Sequence, residues 1–246
     1  SKTNQNADAW TPRIGIVYQP LDFLSLFASY SQSFTPSTAL TAAGAPLEPE
    51  RSEGFDVGIK AEMIDGDLLA TLTYFDINRQ NVATPDPADP FSSVATGEQR
   101  SQGVELDLVG EILPGWNVIA SYAYTDARVT EDNTIPAGNR LFNAPANSAN
   151  LWTTYEIQTG DLEGLGFGLG FNFVGEREGD LANSFDLDSY FLTNAAVSYR
   201  RNGWRFALNA RNLFDVDHFT ATANRRSSGI EPGDPFTIVG SVSVEF

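Results

Sequence analysis

The sequence predicts an all-β fold: an antiparallel transmembrane β-barrel portion of about 11 long strands, with short periplasmic turns and long extracellular loops. Three observations predict it. Apolar and polar residues alternate with a period of two in segment after segment, which gives each strand one apolar and one polar face. The segments are long. About ten residues at roughly 3.3 Å rise, tilted near 45°, cover about 23 Å of height, close to the apolar band of about 25 Å that such barrels show to lipid. Strands of soluble sandwiches are about half that length. Finally, short and long connections take turns along the chain, as they do when turns lie on one side of a membrane and loops on the other.

Each element shows the pattern in turn. Ile14, Ile16 and Tyr18 alternate with Gly15, Val17 and Gln19, and Leu24, Leu26, Ala28 and Tyr30 with Ser25, Phe27, Ser29 and Ser31. Phe55, Val57, Ile59 and Ala61 oppose Asp56, Gly58, Lys60 and Glu62. Residues 68–78 carry large side chains on both faces, so alternation alone leaves their register open. Val104, Leu106 and Leu108 oppose Glu105, Asp107 and Val109, and the sixth strand turns Trp116, Val118, Ala120, Tyr122 and Tyr124 one way. Leu151, Thr153, Tyr155 and Ile157 oppose Asn150, Trp152, Thr154 and Glu156. Leu165, Phe167, Leu169, Phe171 and Phe173 oppose Gly166, Gly168, Gly170 and Asn172. Phe191 to Arg200, Trp204 to Arg211 and Phe236 to Phe246 complete the series.

Short turns fall at 20–23, 65–66, 114–115, 159–164 and 201–203, and long polar loops at 35–50, 81–99, 130–146, 175–189 and 215–234. This alternation puts Phe246 on the periplasmic side and Ser1 outside. Tyr18, Trp116, Tyr155, Tyr199, Trp204 and Phe246 lie near short-turn ends, where an interfacial aromatic girdle belongs.

Composition narrows the function. A formal charge of -17 argues against nucleic acid as a partner, and the total absence of cysteine excludes thiolate metal sites and cysteine nucleophiles. No stretch approaches the roughly 18 apolar residues of a transmembrane helix. The charged residues Asp56, Lys60, Glu62, Glu105, Asp107, Glu156, Arg205 and Arg211 all oppose the apolar face and so line a lumen. GxSxG, HExxH and phosphate-cradling loops are absent from the sequence, and a hydrated wall is the expected role of these side chains. No catalytic residue, metal ligand or cofactor is expected. Glycines 166, 168 and 170 follow the strand's own period and leave room for something close to the wall. Asp180, Asp186 and Asp188 lack the spacing of a calcium loop, and the lone His218 is expected at the surface.

Several segments resemble a known family. Tyr30-Ser31-Gln32-Ser33-Phe34-Thr35-Pro36, Leu47-Glu48-Pro49-Glu50 with the strand from Glu53 to Lys60, and Ser101-Gln102-Gly103-Val104-Glu105 are similar to segments of TonB-dependent outer-membrane receptors. Asn212-Leu213-Phe214-Asp215 resembles their NLFD motif, and Phe246 the terminal signal read by the barrel assembly machinery. The chain most resembles ferric-siderophore receptors of the ferrichrome type. That resemblance implies residence in the outer membrane of a Gram-negative-type bacterium, in contact with its lipid. It implies uptake of a ferric siderophore powered through TonB, ExbB and ExbD, by capture rather than catalysis. Candidate contacts near the outer mouth are Phe34, Trp152, Phe185, Tyr190, Phe219, Arg225 and Arg226, with ordinary loop packing as the alternative for each. His218 stands where the family commonly has tyrosine.

Such receptors have 22 strands and a plugged lumen. Eleven is half, and an odd count puts the two ends on opposite faces of the membrane. An open sheet would leave two rows of unpaired backbone groups in lipid, at a cost of roughly tens of kcal/mol. Residues 1–246 are therefore expected to be the carboxy-terminal half of such a barrel, without plug domain or TonB box. A passive porin-like channel and, further off, a soluble β-barrel ligand-binding module are the alternative readings.

Overall fold

The computed structural model describes residues 9–224, 226 and 229–245; Ser1, Arg225 and Phe246 lie outside them. Eleven long strands form one antiparallel sheet in chain order. They are β1 (Arg13–Leu21), β2 (Leu24–Thr35), β3 (Glu50–Met63), β4 (Leu68–Asp86), β5 (Asp89–Leu113), β6 (Trp116–Glu131), β7 (Asn147–Glu156), β8 (Leu165–Val174), β11 (Tyr190–Arg201), β12 (Trp204–Arg211) and β15 (Thr237–Val244). Between them, β9 (Arg177–Glu178) pairs with β10 (Asp186–Leu187), and β13 (Phe219–Thr222) with β14 (Ile230–Pro232). A 3-10 turn at Ile64–Gly66 joins β3 to β4. The long sheet is open, with β1 and β15 at its edges.

Register sorts the faces. Residues directly opposite in neighbouring strands point to the same side, so Tyr18, Leu26, Ile59, Leu72, Leu106 and Tyr122 form one outward row. Lys60, Thr71, Asp107, Ser121, Asn150 and Asn172 form an inward one. Pairing resolves the ambiguous fourth strand: Leu72 and Tyr74 face outward with Ile59 and Val57, while Thr73 and Phe75 face inward. The large outward residues stay exposed, Leu72 at 45% and Phe206 at 47%, because no protein layer covers them. Such a face suits a hydrocarbon solvent.

The outward face changes character at one level. Below Tyr30, Phe55, Asp76, Gln102 and Asp126 it is apolar; above that row come Glu53, Asn78, Arg100 and Arg128. Arg100 pairs with Asp76 there, and Arg128 with Asp126 at 2.7 Å. This polar belt marks where the strands leave the apolar band. It also corrects the expected loop at 81–99. β4 and β5 run on to Asp86 and from Asp89, with Val82 opposite Gly97 and Thr84 opposite Val94. The backbone ladder outlasts the hydrophobic alternation, because both faces of a protruding hairpin meet water.

The inner wall is kept low by pairing aromatics with glycines on the next strand. Phe27 lies over Gly58, Phe75 over Gly103, and Trp152 over Gly168 and Gly170. A Cβ on Gly168 would sit 2.8 Å from the Trp152 ring, so the room left by those glycines belongs to Trp152. At the short-turn end Trp116 opposes Tyr155, and Tyr155 opposes Phe167. Trp204 stacks with Phe206 at 6.2 Å. These residues form the expected girdle on the outward face. The turn joining β11 to β12 is Asn202-Gly203 with φ of 52° and 78°, the left-handed pair that a two-residue hairpin requires.

Candidate functional site

The long connections all emerge at one end of the sheet, where they form one interlocked rim rather than separate loops. The segment between β2 and β3 meets the β4–β5 hairpin where Ser93 N donates to the Leu40 carbonyl at 3.0 Å and Asn81 Nδ2 to that of Pro49 at 3.1 Å. The next loop reaches the same hairpin through Asn133, whose Nδ2 donates to Thr84 Oγ1 and Thr96 Oγ1, each at 2.9 Å. That loop also grips the β9–β10 segment. Arg140 N donates to Asn183 Oδ1 at 2.8 Å, and Asn183 Nδ2 returns a bond to the Arg140 carbonyl at 2.9 Å. Asn143 clasps the β13–β14 hairpin the same way, donating to the Thr222 carbonyl at 2.7 Å and accepting from Thr222 N at 2.9 Å.

A primary amide suits this work because it offers both a donor and an acceptor to a peptide edge. Asn143, Asn183, Asn212 and Asn224 also have positive φ, between 48° and 61°, a region that asparagine enters more readily than most residues.

Asn212 is the most heavily used. It is 3% exposed. Its Nδ2 donates to the carbonyls of Val216 (3.0 Å) and Asp234 (3.1 Å), its Oδ1 accepts from Val216 N (2.8 Å), and its own N–H donates to Asn194 Oδ1 (2.9 Å). Three residues on, Asp215 Oδ1 accepts from Phe236 N at 2.7 Å. The Asn212-Leu213-Phe214-Asp215 segment therefore closes the base of the last long loop. Leu213 and Phe214 are exposed at 39% and 72%.

The seven ligand candidates separate. Phe185 lies under the Arg226 guanidinium, 5.8 Å from centroid to cation, which brings two of them together across two loops. Tyr190 and Phe219 meet around Arg177, a residue that the sequence reading passed over. Its guanidinium carbon sits 5.5 Å over the Tyr190 ring, and Nη2 donates to the Phe219 carbonyl at 2.5 Å. Tyr190 in turn packs on His218 at 4.6 Å. Phe34 and Trp152 stand apart. Phe34 pairs in register with Arg51 on the outward face, and Trp152 is on the inner wall nearer the short-turn end. Phe34 thus stands at the loop end of β2 but faces outward, whereas Trp152 faces the lumen well below the loops. Arg225 lies outside the described residues.

His218 also differs from expectation. It is half-buried, its Nδ1 is 3.0 Å from the Val216 carbonyl, and Gly233 leaves its ring no room for a side chain there. Two charged groups in the rim are perturbed. Burial pushes the Arg177 guanidinium down from its ordinary value, opposed by Tyr190. Burial raises the Glu178 carboxyl, helped by a hydrogen bond with Asp186 and by its charge. Among the described residues no group of acidic or histidine side chains is arranged to hold a metal ion.

Residues 1–213 match the protein family described as TonB dependent receptor-like, beta-barrel. The chain is 36% identical over 248 residues to the metal-pseudopaline receptor CntO of Pseudomonas aeruginosa, covering 100% of this chain and 35% of that protein. It is 34% identical over 220 residues to the ferrichrome outer membrane transporter/phage receptor of Escherichia coli, covering 87% and 29% respectively. The solved siderophore receptor PiuA of Acinetobacter baumannii superposes with a TM-score of 0.84 at 27% identity, over 94% of this chain and 35% of that one. The chain thus spans about a third of the length of these relatives.

Proposed function

We propose that this chain, which belongs to the TonB-dependent receptor-like β-barrel family, supplies part of the wall and outer rim of a bacterial outer-membrane receptor for metal chelates of the siderophore kind. In this reading residues 1–246 are one part of a larger barrel. The apolar outward rows face lipid, the polar inward rows face a lumen filled by water and by another part of the same protein, and the interlocked loops face the outside. Capture at the rim and energised passage inward require no bond-making chemistry, so the protein acts as a receptor and not as an enzyme. Energy enters through TonB, ExbB and ExbD, engaged by a segment outside this sequence.

One observation carries this most of all. A single continuous antiparallel sheet has one outward apolar band, and every long connection stands at the same end of it. A sheet of this shape divides an inside from an outside, and only its loop end is built to meet something. The family's relatives named above are receptors for metal-pseudopaline and ferrichrome, which supports chelate uptake over passive diffusion. Uptake of radiolabelled iron chelates by cells expressing the full-length protein tests the proposal. Accumulation should saturate and should cease in cells lacking TonB. Equal accumulation without TonB, accompanied by passage of unrelated small solutes, would identify a passive channel instead.

A further inference from the structure

Arg177 is an anomaly of charge. The chain carries 32 acidic residues against 15 basic ones, and Arg177 is flanked in sequence by Glu176 and Glu178. Yet its guanidinium has no carboxylate at ion-pair distance among the described residues. It is only 3% exposed, Nη2 is spent on the Phe219 carbonyl, and Nη1 has no acceptor among the described residues. The neighbouring Glu178 is on the opposite side of the short β9 strand, where its carboxyl joins Asp186. Tyr190 alone opposes the effect of burial on this cation. Burying an unpaired charge is among the most expensive things a protein can do. A chain with acids to spare that leaves this arginine single is holding one half of an ion pair.

The position says where the other half comes from. Tyr190 is in register with Val174, Ser148 and Ala123, all inward-facing, so the cation over its ring sits on the lumen side of the rim. We infer that Arg177 is the anion-recognising group of the rim and that the captured chelate carries exposed negatively charged oxygen atoms, carboxylate or catecholate, one of which takes the free Nη1–H. This rests on the uptake reading above. Nη1 is covered in the described state, so the anion reaches it only after the rim around Arg177 opens.

Fluorescence-quenching titrations of the full-length receptor test this with iron(III) citrate, an iron(III) tris-catecholate and an uncharged iron(III) trihydroxamate. An anionic chelate should bind more tightly than the uncharged one. Arg177→Gln should weaken the anionic chelate by about thirtyfold, the size of one charge-assisted hydrogen bond, and leave the uncharged one unchanged. Arg177→Lys, which keeps the charge, should recover part of the loss and guards against misfolding as the cause. Unchanged anion affinity in Arg177→Gln would overturn the inference. So would a tighter grip on the uncharged chelate by the unsubstituted receptor. If Arg177→Gln lowers the melting temperature of the ligand-free receptor while chelate affinity holds, the counter-ion is a carboxylate of the remaining protein and the inference fails. Failure of the unsubstituted receptor to bind any of the three chelates would instead bring down the uptake reading, and the inference with it.

Discussion

The two ends of this sheet are held together by different physics. At the short-turn end the connections are local: Asn202-Gly203 turns the chain back within two residues, and Trp116, Tyr155 and Trp204 anchor the wall at the lipid boundary. At the long-loop end the connections are remote. The Asn143 clasp on Thr222 joins residues 79 positions apart, and the Asn183 clasp on Arg140 joins residues 43 apart. One end needs only the solvent and nearest neighbours to take its shape, whereas the other needs the whole rim assembled. An end made of many weak polar clasps can rearrange as a unit, which a capturing surface requires and an anchoring surface does not.

This contrast can be broken by substitution. Asn212→Ala should have the largest effect, because it leaves two carbonyls and an N–H unpaired beneath the last loop. A loss of about 3–4 kcal/mol is expected, seen as lost hydrogen-exchange protection across 212–236 with β11 and β12 below still protected. Asn143→Ala removes two bonds to Thr222 and should cost about 2 kcal/mol. Proteolysis should then speed up at the β13–β14 hairpin and also in the loop before β7, because the clasp couples them. At the other end, Asn202→Ala places a poorly suited residue at positive φ and should cost about 1 kcal/mol. Its effect should stay within the turn; spread of lost protection to neighbouring turns would erase the distinction between the two ends.

Acidity should sharpen the same contrast by a smaller amount. Glu178 has a carboxyl raised above the ordinary 4.5, first by burial and then by its bond with Asp186. The folded hairpin therefore holds the proton more tightly than the unfolded chain does. Its contribution is fully present below about 4.5 and is lost as pH rises through the raised value. Exchange protection of β9 and β10 should fall across that window, while the short turns show no matching step.

The membrane part of the wall was legible in the sequence because lipid on one face and water on the other make the strand's own period of two visible. Where the strands rise past Tyr74 and Val104 the outward residues become Asp76, Asn78, Arg100 and Gln102, the hydropathy signal ends, and the expected loop proved to be hairpin. The rim was legible only in part. Asn212-Leu213-Phe214-Asp215 stood out as a motif, but its work depends on Val216, Asp234 and Phe236 reaching the same place. Arg177 carried no local signal, since a lone arginine between two glutamates reads as a solvated pair. Phe34 and Trp152 were the reverse case: their parity was readable, and it turns Phe34 outward and Trp152 to the lumen wall below the loops.

Nitroxide scanning along β5 tests the central claim most directly. Labels placed one at a time from 102 to 109 in the full-length receptor, reconstituted in bilayers, report access to oxygen and to a water-soluble nickel chelate. Oxygen access should peak at 104, 106 and 108 and nickel access at 105 and 107, as the outward rows of Val104, Leu106 and Leu108 require. Equal access at successive positions, or the opposite phase, would contradict a wall with its apolar face in lipid and its polar face on a lumen.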